Sequence, residues 1–464
     1  MTNWCAKVAE IKNFLTENRF FAVIGAAGFL TLSFLLYISA PRDGHYEVDS
    51  SAYERVAQGF VKTGAIQESD ETCPIHTQGY HFFLGMIYLV LGSDLWKVIS
   101  IQVLLALLSI FLTAQTAFLL CGVACARIVF VLALTSGAFF VYPQFILAEA
   151  LLLFLVTLFF ERCTRFYRTK KRTYLMQAGF ILGLSVIVKP TALFFPLGLA
   201  VCFFTLSRFV TLSVSWSDFV YFCAAFYAPI FLYMVRNGLV FGHYKLSFLA
   251  EGGLYHWFHA VVLAQLQNAP FLEVLSDLGK KGNMHYSTFQ QEYWAPLKTL
   301  FWNTCLVHPL VVLKMYLQNI SKTFFGLYSV QLQLLFDPQM RGNILPFHEI
   351  QEGIVGQLYN YFAWAFRNPF VGMLMLFEAV MNGLKWLLDA WVLKHWYQKG
   401  SYELLVFFLC VIGCFSAVTG FYGAGRYRIL FEPLLLILAA QGILSLCRKT
   451  KPSFKGVIPR EREA

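Results

Sequence analysis

Apolar runs separated by short polar clusters recur along the whole chain, and the pattern predicts about ten membrane-spanning helices, a count of eleven to thirteen being left open. The first run covers about 20–40 and reads as a signal anchor rather than a cleaved leader, because no small-residue cleavage site follows it. Further spans are placed near 97–120, 128–142, 146–160, 175–188, from 192 to Arg208, 217–235, 368–392, 402–421 and 429–446. The span near 368–392 is the least regular, since Glu378, Lys385 and Asp389 interrupt it. Between 237 and 365 the apolar stretches are broken, as at His308-Pro309 and Lys314, and read as interfacial helices. The chain therefore divides into an N-terminal membrane module (1–235), an external interfacial segment (236–365), and C-terminal spans with a basic tail (366–464).

The loop at 41–95 carries two shorter signals. Val56, Ala57 and Phe60 recur at helical spacing after Tyr53, and Gly64 stands where a C-cap belongs. Gly79 to Leu91 is apolar but too short to cross a bilayer. Two helices lying flat at the membrane surface are expected, with Asp49 as the N-cap of the first.

Composition agrees with a polytopic membrane protein. Only 13% of residues are charged, about half of what a soluble domain carries. The net charge of +10 is not a nucleic-acid footprint, because its largest clusters, Arg162 to Arg172 and Arg448 to Arg462, directly follow spans. That is where cytoplasmic loops hold their lysines and arginines. Both termini then lie in the cytoplasm and the 41–95 loop lies outside. Of the eleven cysteines only Cys73 and Cys305 fall in external loops, where a disulfide is conceivable. His45, His76 and His81 fit no ligand spacing, so no cofactor is assigned and a divalent metal is left open without support. Asn319-Ile-Ser321 is a glycosylation sequon, of consequence in a eukaryotic cell alone.

This topology brings Asp49, Glu149, Lys189, Arg426 and Arg428 to one membrane face. A carboxylate accepts a proton from an attacking hydroxyl or amine, and arginine or lysine steadies a departing phosphate. The bland readings stand beside this one: a helix-start carboxylate at Glu149, head-group anchors at Arg426 and Arg428, a snorkelling Lys189, and a solvated acidic surface at Glu54, Glu68, Asp70 and Glu71.

The segment from Asp49 through Tyr53 and Ala57 to Gly64 resembles the D-x-x-x-Y-x-x-x-A…G stretch of GT-C glycosyltransferases. More narrowly it is similar to their protein mannosyltransferase and lipid A aminoarabinose transferase branch. Pro74 to Leu84 resembles their P-P-G-Y-P-x-x-x-L motif, with His81 in place of the second motif proline. Glu149 resembles the acid that opens their fourth span. Gly179, Gly183 and Lys189-Pro-Thr-Ala192 resemble their G-x-x-x-G…K-P-T-A segment, and Arg236-Asn237…Phe241-Gly242 and Arg426/Arg428…Pro433 also match.

The resemblance implies an all-α GT-C membrane enzyme that moves a sugar from a polyprenyl-phosphate donor to a lipid, glycan or protein acceptor, with inversion. It implies catalytic Asp49, with Glu149 in support and Glu47 in reserve. Arg426, Arg428 and Lys189 would meet the donor phosphate, and Tyr53, Tyr80 and Arg236 would position substrate. Partners would be the donor, membrane lipids and an acceptor of unspecified class, without nucleic acid. The expected location is a bacterial inner membrane with the site toward the periplasm, ahead of the endoplasmic reticulum. A polytopic transporter or lipid flippase is the alternative from a different class.

Overall fold

The computed structural model describes residues 19–47, 49–66, 76–206, 215–248, 251–281, 291–338, 363, 366–400 and 402–447. Among them every regular element is helical. Among the described residues four helices are long and apolar enough to cross a bilayer: α1 (Arg19–Ser39, the span starting at Phe21), α4 (Leu95–Cys121), α9 (Trp216–Phe241) and α15 (Pro369–Gln398). The count rises to six if each of two bent helix pairs is one span, and five shorter apolar helices accompany them. The chain is an all-helical integral membrane protein.

The two helices expected in the first loop are present as α2 (Ser50–Thr63) and α3 (Gly79–Leu91). Gly64 caps α2 at φ 74°, its N–H donating to the Phe60 carbonyl, a left-handed conformation that glycine adopts without Cβ strain. Asp49 precedes α2 but its side chain makes no capping hydrogen bond, so the expected N-cap role is not what holds it there. Glu54, expected on solvated surface, instead accepts from the Tyr46 hydroxyl at 3.2 Å and the Tyr88 hydroxyl at 2.9 Å, tying α2 to α3.

Behind this lid, α4 packs against α5 (Val123–Thr135) and α6 (Glu149–Thr169), and α7 (Arg172–Val188) packs between α6 and α9. Hydroxyls inside α4 are satisfied within the helix: Ser109, Thr113 and Thr116 each donate to the carbonyl four residues back at 2.8 Å. Gly179 and Gly183 let α7 approach α9 so closely that a Cβ on Gly183 would lie 2.2 Å from the Phe226 carbonyl oxygen. The basic loop between α6 and α7 is fixed to α9, where Arg172 Nε meets Asp218 at 2.9 Å beside a Ser215/Asp218 capping box.

α8 (Phe195–Leu206) follows the Lys189-Pro190 turn. The span expected at 128–142 breaks: α5 ends at Thr135, and the chain bends by 59° into a segment ending at Gln144. The described part of the segment after α9 contains a π-helix (Gly252–Phe258), α10 (His259–Gln267), α11 (Phe271–Lys281), α12 (Gln291–Val307), α13 (Pro309–Phe325) and α14 (Val330–Phe336). From Trp294 onward, α12 meets α13 at 104°, broken at His308-Pro309. α10, α11, α12 and the start of α13 enclose a second apolar core around Phe258, Phe271, Trp294 and Phe301.

α15 is continuous for 30 residues despite Glu378, Lys385 and Asp389, which face protein rather than lipid. α16 (Tyr402–Thr419) returns, and α17 (Glu432–Cys447) runs under α15 and α5, buried along nearly its whole length. Cys305 forms no disulfide with another described cysteine; Cys73, Glu68, Asp70, Glu71, Pro74 and the basic tail lie outside the described residues, so the Cys73–Cys305 disulfide is untested.

Candidate active site

The first loop is pinned to the turn that precedes α6. His45 Nδ1 is 2.7 Å from the Gln144 carbonyl oxygen, the Ile146 N–H donates to the His45 carbonyl at 3.0 Å, and the Ser50 hydroxyl donates to the Ile146 carbonyl at 2.9 Å. These bonds place Asp49, one residue before Ser50, above Glu149 at the first position of α6. On the other side the Thr77 hydroxyl donates to the Val188 carbonyl at 3.1 Å, and Gly79 abuts the carbonyl of Ile187. The start of α3 therefore meets the end of α7, next to Lys189. A Cβ on Gly79 would lie 2.6 Å from the Ile187 oxygen, too close for either backbone to yield cheaply. Gly79→Ala is expected to cost about 1–3 kcal/mol through overpacking, read as a lowered Tm of the purified protein; an unchanged Tm would show that this junction is loose.

Four charges meet there. Lys189, extended at the end of α7, donates to Glu149 Oε1 at 2.6 Å. Arg426, in the 3₁₀ turn Gly425–Leu430 ahead of α17, places Nε 3.9 Å from Glu149 Oε1 and Nη1 3.7 Å from Asp49 Oδ2. Both cations stand over the ring of Tyr427, Lys189 at 5.0 Å and Arg426 at 5.4 Å from its centroid. The sequence motif contained Tyr427 between the two arginines without marking it as a platform.

Exposure separates the two carboxylates. Glu149 is buried, with 2% of its side chain accessible, whereas Asp49 and Arg426 each keep 28%. Glu149 is thus an internal counter-ion, and Asp49 and Arg426 are the pair a substrate can reach. Burial by itself would raise the Asp49 pKa, but the charges of Arg426, then His76 and Lys189, outweigh it and hold the carboxyl below its ordinary value.

Tyr53 lies under the lid, with its ring 4.8 Å from Tyr80, 5.0 Å from His81 and 5.8 Å from His76. Burial, reinforced by the nearby His76 charge, pushes the His81 pKa down to about 3, leaving a neutral ring in the floor. Tyr80 donates to Gln102 Oε1 at 2.8 Å, and Gln102 in turn donates to the Phe145 carbonyl at 2.7 Å. Tyr80 thereby locks α3 to α4 and the turn before α6. Arg236 donates to Gln78 Oε1 at 2.6 Å and to the Ile66 carbonyl at 2.7 Å. It bridges the two described ends of the first loop to α9. Glu47 is half-buried beside Asp49, its N–H donating to the Ser50 hydroxyl at 2.8 Å. Among the described residues no cluster of three or more His, Cys, Asp or Glu is arranged to hold a metal.

Arg428 is placed elsewhere. It is fully buried: Nε meets the Tyr328 hydroxyl at 3.2 Å and Glu432 Oε2 at 3.0 Å, Nη1 donates to the carbonyls of Phe324 and Gly326, and Nη2 is 3.6 Å from Glu378. Lys385 completes this second cluster at 2.7 Å from Glu432, and Asp389 is buried one turn further along α15 without a hydrogen bond to any described group. The sequence spacing put Arg426 and Arg428 in one role; the 3₁₀ turn sends them to opposite sides. Tyr142 stands edge-on to Tyr328 at 5.6 Å beside the buried cluster.

No family model matches the chain and no curated protein does. Two solved structures of ArnT from Cupriavidus metallidurans are similar to it, each 13% identical in sequence. The one bound to undecaprenyl phosphate aligns over 91% of this chain and 77% of its own, with a TM-score of 0.40. The apo form aligns over 90% and 76%, with a TM-score of 0.36. At these values the functional reading rests on this chain's own residues.

Proposed function

We propose that the chain is a membrane glycosyltransferase of GT-C type, taking a sugar from a polyprenyl-phosphate donor. The observation that carries this is the accessible Asp49–Arg426 pair, backed by the buried Glu149–Lys189 pair and roofed by α2 and α3. A phosphodiester donor brings its anion to Arg426, with Lys189 behind. The acceptor hydroxyl or amine approaches Asp49. The acceptor oxygen or nitrogen attacks the anomeric carbon from the face opposite the phosphate, the carbon–oxygen bond to the phosphate breaks, and the bonding pair leaves with the lipid phosphate. The acceptor's proton passes to Asp49. No acid is needed at the leaving group, whose charge Arg426 and Lys189 hold.

The Asp49–Arg426 contact adds a feature to this scheme. Arg426 depresses the basicity of Asp49, so Asp49 is a weak base until a phosphate draws on the same guanidinium. Donor binding then relieves that depression and makes Asp49 a better proton acceptor when both substrates are present. The expected pH dependence follows. Transfer requires ionised Asp49, so activity is present above its pKa and lost as pH falls through it. The acid limb of kcat/KM for the donor, which reports free enzyme, should lie below the ordinary carboxylate range, and the limb of kcat should lie at higher pH. Coincident limbs would remove the coupling.

The class is tested by mass spectrometry of envelope lipids, glycans and proteins from cells with and without the protein. A glycan that disappears and returns with the wild-type gene, but not with Asp49→Asn, supports it. An unchanged glycan profile with altered uptake of a solute or lipid would favour a transporter or flippase. The reading places the site toward the periplasm of a bacterial inner membrane, the face opposite the basic loop at Arg162 to Arg172.

A further inference from the structure

A cavity of about 590 Å³ lies between α5 and α15 with α17 as its floor. Its polar end is formed by Ser136, Glu378, Asn382, Lys385 and Glu432, on the membrane face of the Arg426 turn. From there it follows α17 toward Cys447, lined by Leu388, Ala439 and Ile443 among other apolar residues. α15 and α17 run in the same direction, since Lys385 meets Glu432 near one end and the Trp391 indole donates to Ser445 near the other. Glu432 to Cys447 spans about 22 Å of helix, against a hydrocarbon core about 30 Å thick. Leu384 and Leu387, at the rim, are 51% and 71% exposed, so the crevice opens toward lipid.

The polar end selects among head groups. Glu432 is saturated: Ser136 and Lys385 occupy one oxygen, Tyr328 and Arg428 the other. Lys385 uses one of its three N–H donors in that pair, leaving two. Glu378 accepts from the Tyr328 and Ser329 N–H groups and from Asn382, and Asn382 keeps its amide oxygen for another donor. The crevice thus offers ammonium donors on one side and carboxylate and amide acceptors on the other. Glu378 and Glu432 are balanced by Lys385 and by the buried Arg428 behind them, so a zwitterionic head adds no net charge to this end, whereas a head carrying phosphate alone would leave a buried anion uncompensated.

We propose that this crevice is a lipid site separate from the Asp49 site, and that it takes a phospholipid whose head carries both a phosphate and a primary ammonium. The phosphate meets Lys385, the ammonium donates to Glu378 and Asn382, and one acyl chain lies along α17. Phosphatidylcholine has no N–H to donate to those acceptors, and phosphatidylglycerol has no cation.

Trp391 lines the crevice and reports its occupancy. Full-length protein is placed in mixed micelles containing phosphatidylethanolamine, phosphatidylcholine or phosphatidylglycerol with brominated acyl chains, and Trp391 emission is taken as the difference between wild type and Trp391→Phe. Half-maximal quenching is expected at a several-fold lower mole fraction of the ethanolamine lipid than of the other two. Asn382→Leu should remove the preference, and Ala439→Phe should weaken quenching by all three. Should Ala439→Phe fail to fold, native mass spectrometry of the wild type gives the same answer by the head group of the retained lipid. Equal quenching by the three heads means an ordinary lipid annulus and overturns the proposal. Preference for phosphatidylglycerol, or displacement by a polyprenyl phosphate, would also overturn it and assign the crevice to anionic lipid or to the donor chain. Sugar transfer is not measured, so this result and the glycan result above succeed or fail separately.

Discussion

Asp49→Asn is expected to lower sugar transfer by about 10²–10⁴-fold, the usual worth of a positioned general base, without loss of fold. Asparagine keeps the volume and the N-terminal end of α2, where Asp49 contributes no side-chain cap. The bonds that seat this segment belong to His45 and Ser50, not to Asp49. What is lost is the proton acceptor and the nearest accessible partner of Arg426. With that carboxylate gone, Arg426 faces the donor phosphate with the buried Glu149 as its remaining carboxylate neighbour and no accessible competitor, so donor binding should be unchanged or tighter while turnover falls. Parallel measurement of donor affinity and single-turnover transfer separates the two quantities. Transfer within a few-fold of wild type would remove Asp49 as base and shift attention to Glu47, its half-buried neighbour.

The elements that sequence periodicity located were those whose signal is local. α3 begins and ends at the expected Gly79 and Leu91, and Gly64 closes α2, because an apolar run and a left-handed glycine act over a few residues. The convergence of Asp49, Glu149, Lys189 and Arg426 was legible from topology: each borders an apolar run at the same membrane face. Roles within that group were not, because they depend on burial. Glu149 and Asp49 read alike as helix-start acids, and only packing beneath the first loop makes one a sealed counter-ion and the other an open one. α15 shows the same limit from the opposite side. Glu378, Lys385 and Asp389 read as breaks in a span, yet the helix continues through them because Lys385 pairs with Glu432 and Glu378 with Arg428 and two backbone N–H groups. Hydropathy counts a charge against the bilayer whether or not a neighbouring helix neutralises it.

Arg426→Met and Arg428→Met should therefore fail in different ways, although a single residue separates them. Arg426 is partly open, and its carboxylate neighbours keep alternatives: Glu149 retains Lys189, and Asp49 reaches solvent. Loss of its charge is expected to leave thermal stability near wild type and to reduce transfer by about 10²–10³-fold, as for removal of one electrostatic stabiliser of a developing anion. Arg428 has no such freedom. Its guanidinium joins α13, α15 and α17 through Phe324 and Gly326, Glu378, and Glu432, with Tyr328 at 4.4 Å under its plane. Methionine fills much of the volume but strands two carbonyl oxygens and part of the charge of two buried glutamates. Breaking a buried ion pair from one side costs about 3–5 kcal/mol, enough to unfold a marginal protein, so Arg428→Met is expected to show a lower Tm and low yield before any effect on chemistry is seen. Thermal melts and transfer assays on both variants decide the matter. A stable, inactive Arg428→Met would return Arg428 to the donor phosphate; an unstable Arg426→Met would make the Asp49 pair part of the scaffold.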